Sequence, residues 1–119
     1  MTGIYLADDD ADGRQALRLL LERQLDFRVV GEAAHAHGLV ALVDASQADL
    51  VLLDWKLPGG VDAWLLADLH RIAHRPHIIV LGSHPDQKAA AIAAGADAFA
   101  DKGSTPERLI DAATARDGQ

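Results

Sequence analysis

Five polar residues in this chain stand where apolar runs end, and their types could do chemistry together. Asp8 and Asp9 follow Ile4-Tyr5-Leu6-Ala7, and Asp54 closes Val51-Leu52-Leu53. Ser83 comes just after His77-Ile78-Ile79-Val80-Leu81, and Lys102 just after Ala96 to Ala100. Short apolar runs of this kind read as strands buried on both faces of a parallel sheet, so each polar residue is expected at or near the carboxyl end of a strand. In open α/β sheets ligands and chemistry collect at that edge, because the loops leaving the strand tips form a crevice. Three carboxylates meeting there repel one another and are costly to desolvate unless a cation compensates, which points to a hard divalent ion. Mg²⁺ is the natural candidate, since it takes oxygen ligands, keeps several waters and joins carboxylates to phosphoryl groups. Lys102 could pair with the anion, and Ser83 could supply a hydroxyl. Taken singly these residues have blander roles: Asp8 and Asp9 could cap a helix, Lys102 could be solvated, and Ser83 could cap a turn.

The elements that must position them follow from periodicity. The first strand, Ile4 to Ala7, leads to a helix expected from Ala11 to Gln24, with Asp10 placed as its cap. Leu17, Leu20 and Leu21 give that helix an apolar face, while Arg14, Arg18, Glu22 and Arg23 are expected in water. Phe27 to Val30 reads as a second strand closed by Gly31, and His35 to Val43 as a second helix weakened by Gly38, with Leu39, Leu42 and Val43 inward. The third strand ends at Asp54, and Leu57-Pro58-Gly59-Gly60 then turns the chain sharply away. A third helix is expected over Asp62 to Ile72, a fourth strand over His77 to Leu81, an alanine-rich helix ending at Gly95, and a fifth strand over Ala96 to Ala100. The last helix should run from Pro106 to Ala115, with Thr105 as N-cap. Five strands alternating with five helices predict a flavodoxin-like (βα)5 doubly wound parallel sheet of strand order 2-1-3-4-5, which sets the first and third strands side by side.

Composition narrows the function classes. At 119 residues the chain suits one domain, 1–119, without a separate output module. No apolar run approaches the roughly 20 residues of a membrane span, and the start reads as a strand instead of a signal peptide. A cytoplasmic protein with no membrane partner is therefore expected. A formal net charge of −7 disfavours direct contact with nucleic acid, which needs a basic surface, and suits cation binding. There is no cysteine, which excludes disulfides and thiol chemistry. His70 and His74 at i, i+4, with His77 nearby, raise the question of zinc, but such spacing also recurs on solvated helices. Trp55 and Trp64 could mark a partner surface or simply pack half-buried.

Asp8-Asp9 after IYLA, LLDWKLPG around Asp54, and GADAFADKG ending near Lys102 together resemble the receiver domain of two-component response regulators. The resemblance covers nearly the whole chain, and FRVVGEA and STPERLIDA further resemble receivers that precede a helix-turn-helix output domain. It implies that Asp54 is the phosphoacceptor, attacking a phosphohistidine of a sensor histidine kinase to form an acyl phosphate. It implies Mg²⁺ held directly by Asp9, by Asp8 through water, by Asp54 and by the backbone carbonyl of Lys56, with Lys102 contacting the phosphoryl oxygens. The chain would catalyse only its own phosphorylation and dephosphorylation and would not otherwise be an enzyme. Its partners would be the kinase and a downstream protein, and the resemblance allows a homodimer through the fourth helix, fifth strand and fifth helix.

This sequence also departs from that pattern. Gly82 stands where the family carries the Thr or Ser that contacts the phosphoryl group, so Ser83 is expected to substitute. Gly103 replaces a common proline, Phe99 occupies the switch aromatic position, and Gly59-Gly60 lengthens the loop after Asp54. Two alternatives follow. One is an atypical receiver acting as a binding module with phosphorylation uncoupled from output. The other is a small Mg²⁺-dependent aspartyl phosphatase, against which stands Lys56 where that mechanism would want a second Asp. A flavodoxin is disfavoured because no Ser/Thr/Gly-rich phosphate loop follows the first strand.

Overall fold

A computed structural model describes residues 1–103 and 106–115. Five strands, β1 (Thr2–Ala7), β2 (Phe27–Ala33), β3 (Leu50–Asp54), β4 (His77–Gly82) and β5 (Ala98–Asp101), form one parallel sheet in the order β2-β1-β3-β4-β5. Between and after them run α1 (Ala11–Glu22), α2 (Leu39–Ser46), α3 (Ala63–His70), α4 (Lys88–Ala94), which a single 3₁₀ turn over Pro85–Gln87 precedes, and α5 (Pro106–Ala115). This is the doubly wound arrangement that the alternating pattern predicts. The expected N-cap at Thr105 lies outside the described residues.

The sheet separates two cores. Tyr5, Val51, Leu53, Ile78 and Val80 point to the face covered by Leu39 and Val43 of α2, Leu66 and Leu69 of α3 and Ala91 of α4. Ile4, Leu6, Leu50, Leu52 and Ile79 point to the other, covered by Leu21 of α1 and Ala113 of α5. Consecutive residues of one strand thus serve opposite cores, which is why β3 is apolar without alternation and every one of its residues is buried. Among the described residues, no helix is long and apolar enough to cross a membrane.

Several boundaries differ from the sequence expectation for identifiable reasons. β2 does not stop at Val30: it bulges, so that Ile4 pairs with Val29 and Tyr5 with Gly31, and then continues to Ala33. Gly31 is there because a Cβ would run into the Tyr5 ring, so it admits a neighbour where the sequence suggested an ending. α2 begins at Leu39, later than expected, because Gly38 adopts φ +74° just before it; Leu42 is then 48% exposed instead of inward. Asp10 occupies the N-cap of α1 without a side-chain capping bond. Asp62, by contrast, accepts the N–H of Leu65 and caps α3. Gly95, at φ +117°, closes α4 as expected. Trp55 packs half-buried against the core, whereas Trp64 is 76% exposed.

At the amino end of the sheet two carboxylates brace the strand starts. Asp49 accepts the N–H of Gly3 and lies 2.7 Å from His74 Nε2, and Asp97 accepts the N–H of Ile78 and lies 2.9 Å from His70 Nε2. His70 and His74 thus serve different carboxylates, and among the described residues they form no metal cluster. Burial alone would raise the Asp97 pKa, but the Ile78 N–H and His70 outweigh it and hold the carboxyl below its ordinary value. A depressed folded-state pKa stabilises above the unfolded value and is lost as pH falls through the folded one. We therefore expect Asp97→Asn to lose stability at neutral pH and to show a shallower decline below about pH 4 than the parent, read by urea unfolding across pH.

Candidate functional site

Parallel pairing in register delivers the acids to one place. Ala7 pairs with Leu53 across β1 and β3, so Asp8 and Asp54 leave adjacent strand tips side by side. Carboxylate oxygens of Asp8, Asp9 and Asp54 lie within 4.8 Å of one another. Asp8 and Asp54 are buried, each side chain 9% exposed, and Asp9 faces solvent. From β5, Lys102 extends its ammonium to 2.6 Å from Asp8 Oδ2 and 3.3 Å from Asp54 Oδ2. Its backbone is fixed by an N–H bond to the Gly82 carbonyl at the tip of β4. Four of the residues expected in the site therefore meet.

The local bonds follow from the turns. Asp8 accepts the N–H of Asp10, and Asp54 accepts that of Lys56, each carboxylate closing its own turn two residues on. The Lys56 backbone is thus held beside Asp54, while its side chain is exposed. Beyond it, Leu57 N–H returns to the Asp54 carbonyl and Gly60 N–H to Leu57, with Gly59 and Gly60 at φ +94° and +93°. Those two backbone angles require glycine and let the loop leave the strand tip abruptly.

Charge is unevenly shared in the cluster. Burial favours neutral Asp8, but the bonds from Lys102 and the Asp10 N–H, with the Lys102 charge, overcome it and lower its pKa. Asp54, farther from the ammonium, has its pKa raised chiefly by burial, with the charge of Asp8 adding to the shift despite opposing contributions from the Lys56 N–H and Lys102. Burial acts to lower the Lys102 pKa, yet its two carboxylate partners raise it. One ammonium therefore faces three carboxylates, and Asp8 takes most of its benefit. The remaining crowded, partly solvated oxygens suit a small oxygen-seeking divalent cation, and the donor set has the hardness and openness that Mg²⁺ needs.

Ser83 is not part of this group. It is exposed, its N–H is bound by Gln87 Oε1 at 2.9 Å, and it lines a separate depression of about 490 Å³ with Lys88, Phe99 and Arg108. Gly82 cannot simply regain a side chain: a Cβ would lie 2.6 Å from both Gln87 Oε1 and the Phe99 ring. Sequence reading also missed Arg14, which it assigned to water. Arg14, its side chain 18% exposed, donates to the Asp8 carbonyl and pairs with Glu32, and so ties the acid turn to β2. Its position one turn into a helix that follows an acid pair was the available signal. For Gln87 there was a weaker one, its place three residues after His84 in a capping-box position.

A doubly wound parallel α/β domain with an acid pair on the first strand tip, a third carboxylate on the central one and a lysine on the fifth defines a narrow class of signalling module. The family model described as "Response regulator receiver domain" matches residues 4–114. The chain belongs to that family, the receiver domains of two-component systems. Its homologues are regulators of the LuxR/NarL group. It is 37% identical over 113 residues to "Uncharacterized transcriptional regulatory protein YhcZ" of Bacillus subtilis (strain 168), covering 90% of this chain and 51% of that protein. It is 31% identical over 111 residues to "Nitrate/nitrite response regulator protein NarL" of Escherichia coli (strain K12), covering 92% and 51%. Among solved structures, a two-component response regulator of the LuxR family from Aurantimonas sp. SI85-9A1 superposes with a TM-score of 0.86 at 29% identity, over 98% of this chain and 85% of that one. The chain spans about half the length of the curated relatives it matches.

Because the Asp54 pKa is raised, its ionisation costs folding stability at neutral pH: the favourable contribution exists only below the unfolded pKa and is lost as pH rises through the folded one. We expect Asp54→Asn to raise stability in metal-free buffer by about 1 kcal/mol, roughly 3–6 °C in Tm, by removing one of the crowded charges. Calorimetry in chelator checks this, and a lower Tm for the variant would contradict the charge assignment.

Proposed function

We propose that this chain takes a phosphoryl group from a phosphohistidine of a sensor histidine kinase onto Asp54 and conveys the change through a protein partner. What supports the reading most is the placement of Asp54: a buried strand-tip carboxylate with Lys102 Nζ at 3.3 Å and the Asp8-Asp9 pair alongside. An Asp54 oxygen attacks phosphorus, the new P–O bond forms as the P–N bond to the kinase imidazole breaks, and the bond electrons return to the ring nitrogen. Lys102 lies where it can neutralise a phosphoryl oxygen, which is the contribution phosphoryl transfer most needs from a protein. Asp8, Asp9, Asp54 and the Lys56 carbonyl would hold Mg²⁺, which when bound supplies the remaining positive charge against the phosphoryl oxygens. Asp9, exposed and outside the Lys102 pairs, is the carboxylate freest to ligate, whereas Asp8 is committed to Lys102 and the Asp10 N–H.

Return to the resting state is hydrolysis of the acyl phosphate, water attacking phosphorus and the carboxylate leaving, so the chain acts only on itself. A cytoplasmic location and a homodimer through α4, β5 and α5 belong to the same proposal. So does the absence of direct nucleic-acid contact by this domain, in keeping with its net charge of −7. Incubation with acetyl phosphate and Mg²⁺, followed by intact-mass measurement, should show a single phosphoryl adduct that peptide mapping places on Asp54. Asp54→Asn should show none. An adduct retained in that variant, or none in the parent, would overturn the reading.

A further inference from the structure

The loop joining β4 to the 3₁₀ turn is tied down at several points. Gln87 Oε1 accepts the N–H of Ser83 at 2.9 Å and that of His84 at 3.3 Å, while the Gln87 N–H returns to the His84 carbonyl at 3.1 Å. The same amide oxygen and the Phe99 ring fill the space beside Gly82 that a side chain would take. Gly82 in turn accepts the Lys102 N–H at 2.7 Å, so this latch is one hydrogen bond away from the cation of the acid pocket. Ser83, the hydroxyl residue next to β4, is held through its backbone N–H and lines the depression with Lys88, Phe99 and Arg108 apart from the acid cluster.

We propose that Gln87 is a positioning residue that latches the loop, with Gly82 and Phe99 forming its socket, and that the latch keeps the Ser83 hydroxyl out of the phosphoryl site. An oxygen that accepts two adjacent backbone donors fixes both peptide planes, and losing it leaves them to water alone. The missing side chain at Gly82 is what admits this arrangement: a Cβ would press on both the amide oxygen and the ring and displace them. The latch stands on the geometry alone, whereas its effect on phosphoryl chemistry rests on the proposed role of Asp54.

Two measurements on the full chain test these parts separately. In protein without phosphoryl donor, Gln87→Ala should speed amide hydrogen exchange at Ser83 and His84 roughly three- to tenfold, while Gln87→Glu, which keeps an acceptor oxygen, should restore most of the protection. Unchanged exchange in Gln87→Ala would overturn the latch. After acetyl phosphate treatment, the lifetime of the acyl phosphate should be indifferent to Ser83→Ala in the parent but sensitive to it in the Gln87→Ala background, where the loop is free. Sensitivity in the parent would overturn the exclusion of Ser83, as would indifference in both backgrounds. Should no adduct form, the phosphoacceptor reading fails, and the exchange experiment still decides the latch. If Gln87→Ala does not fold, Gly82→Ala serves instead, since its Cβ should displace the same amide and speed the same exchange.

Discussion

The parallel registration of β1 with β3 is the constraint on which the rest depends. Once Ala7 lies opposite Leu53, Asp8 and Asp54 must emerge together from a dry sheet, and Asp9 follows directly. Two carboxylates about 4 Å apart repel by roughly 4 kcal/mol at an effective dielectric of 20. A single lysine cannot neutralise three acids, and its unequal distances, 2.6 and 3.3 Å, show which carboxylate it serves first. The pocket therefore carries a standing demand for positive charge. On the proposed reading a divalent cation would answer that demand.

Such crowding is tolerable because the sheet beneath it is apolar and closely packed. Leu50, Leu52, Leu53, Ile78 and Ile79 are essentially inaccessible, and each buried aliphatic side chain contributes about 1.5–3 kcal/mol. Helices α1 and α5 cover one face and α2, α3 and α4 the other, so β3 is packed on both sides beneath the acids. Bracing continues at the opposite end, where Asp49 and Asp97 fix the starts of β1 and β4. Asp49 also stands just before β3, donating its N–H to the Gly3 carbonyl and accepting the His77 N–H, so the strand that carries Asp54 is tied to both neighbours where it starts.

Much of this was legible in the chain. The apolar run ending in Asp54, the acid pair after Ala7 and Lys102 after the fifth strand place the cluster through topology alone, since strand order follows from alternating elements and right-handed crossovers. What periodicity could not convey were pairings that depend on a neighbour's shape. Gly31 looked like a stop because a glycine in isolation weakens a strand, but it is required by the Tyr5 ring across the sheet. Leu42 fitted a helical stripe, but the buried stripe is narrow, running through Leu39 and Val43 at i and i+4, and leaves Leu42 at its exposed edge. Arg14 looked solvated until Glu32, from the next strand, and the Asp8 carbonyl claimed it. At Ser83 the hydroxyl was visible, but the Gln87 amide that governs the loop was not, because its reach depends on the space left by Gly82.

Lys102 supplies part of the positive charge the three carboxylates require, and on the proposed reading a divalent cation would supply the rest. Replacing it with Gln removes the ammonium while keeping much of the side chain's length and polarity. Thermal unfolding of the parent and of Lys102→Gln, each in chelator and in saturating Mg²⁺, tests the claim most directly. The variant should be the less stable in chelator and should gain more from Mg²⁺ than the parent does, because its acids are left without the lysine counter-charge. Equal stability in chelator, or no gain from Mg²⁺ in either protein, would contradict this charge assignment.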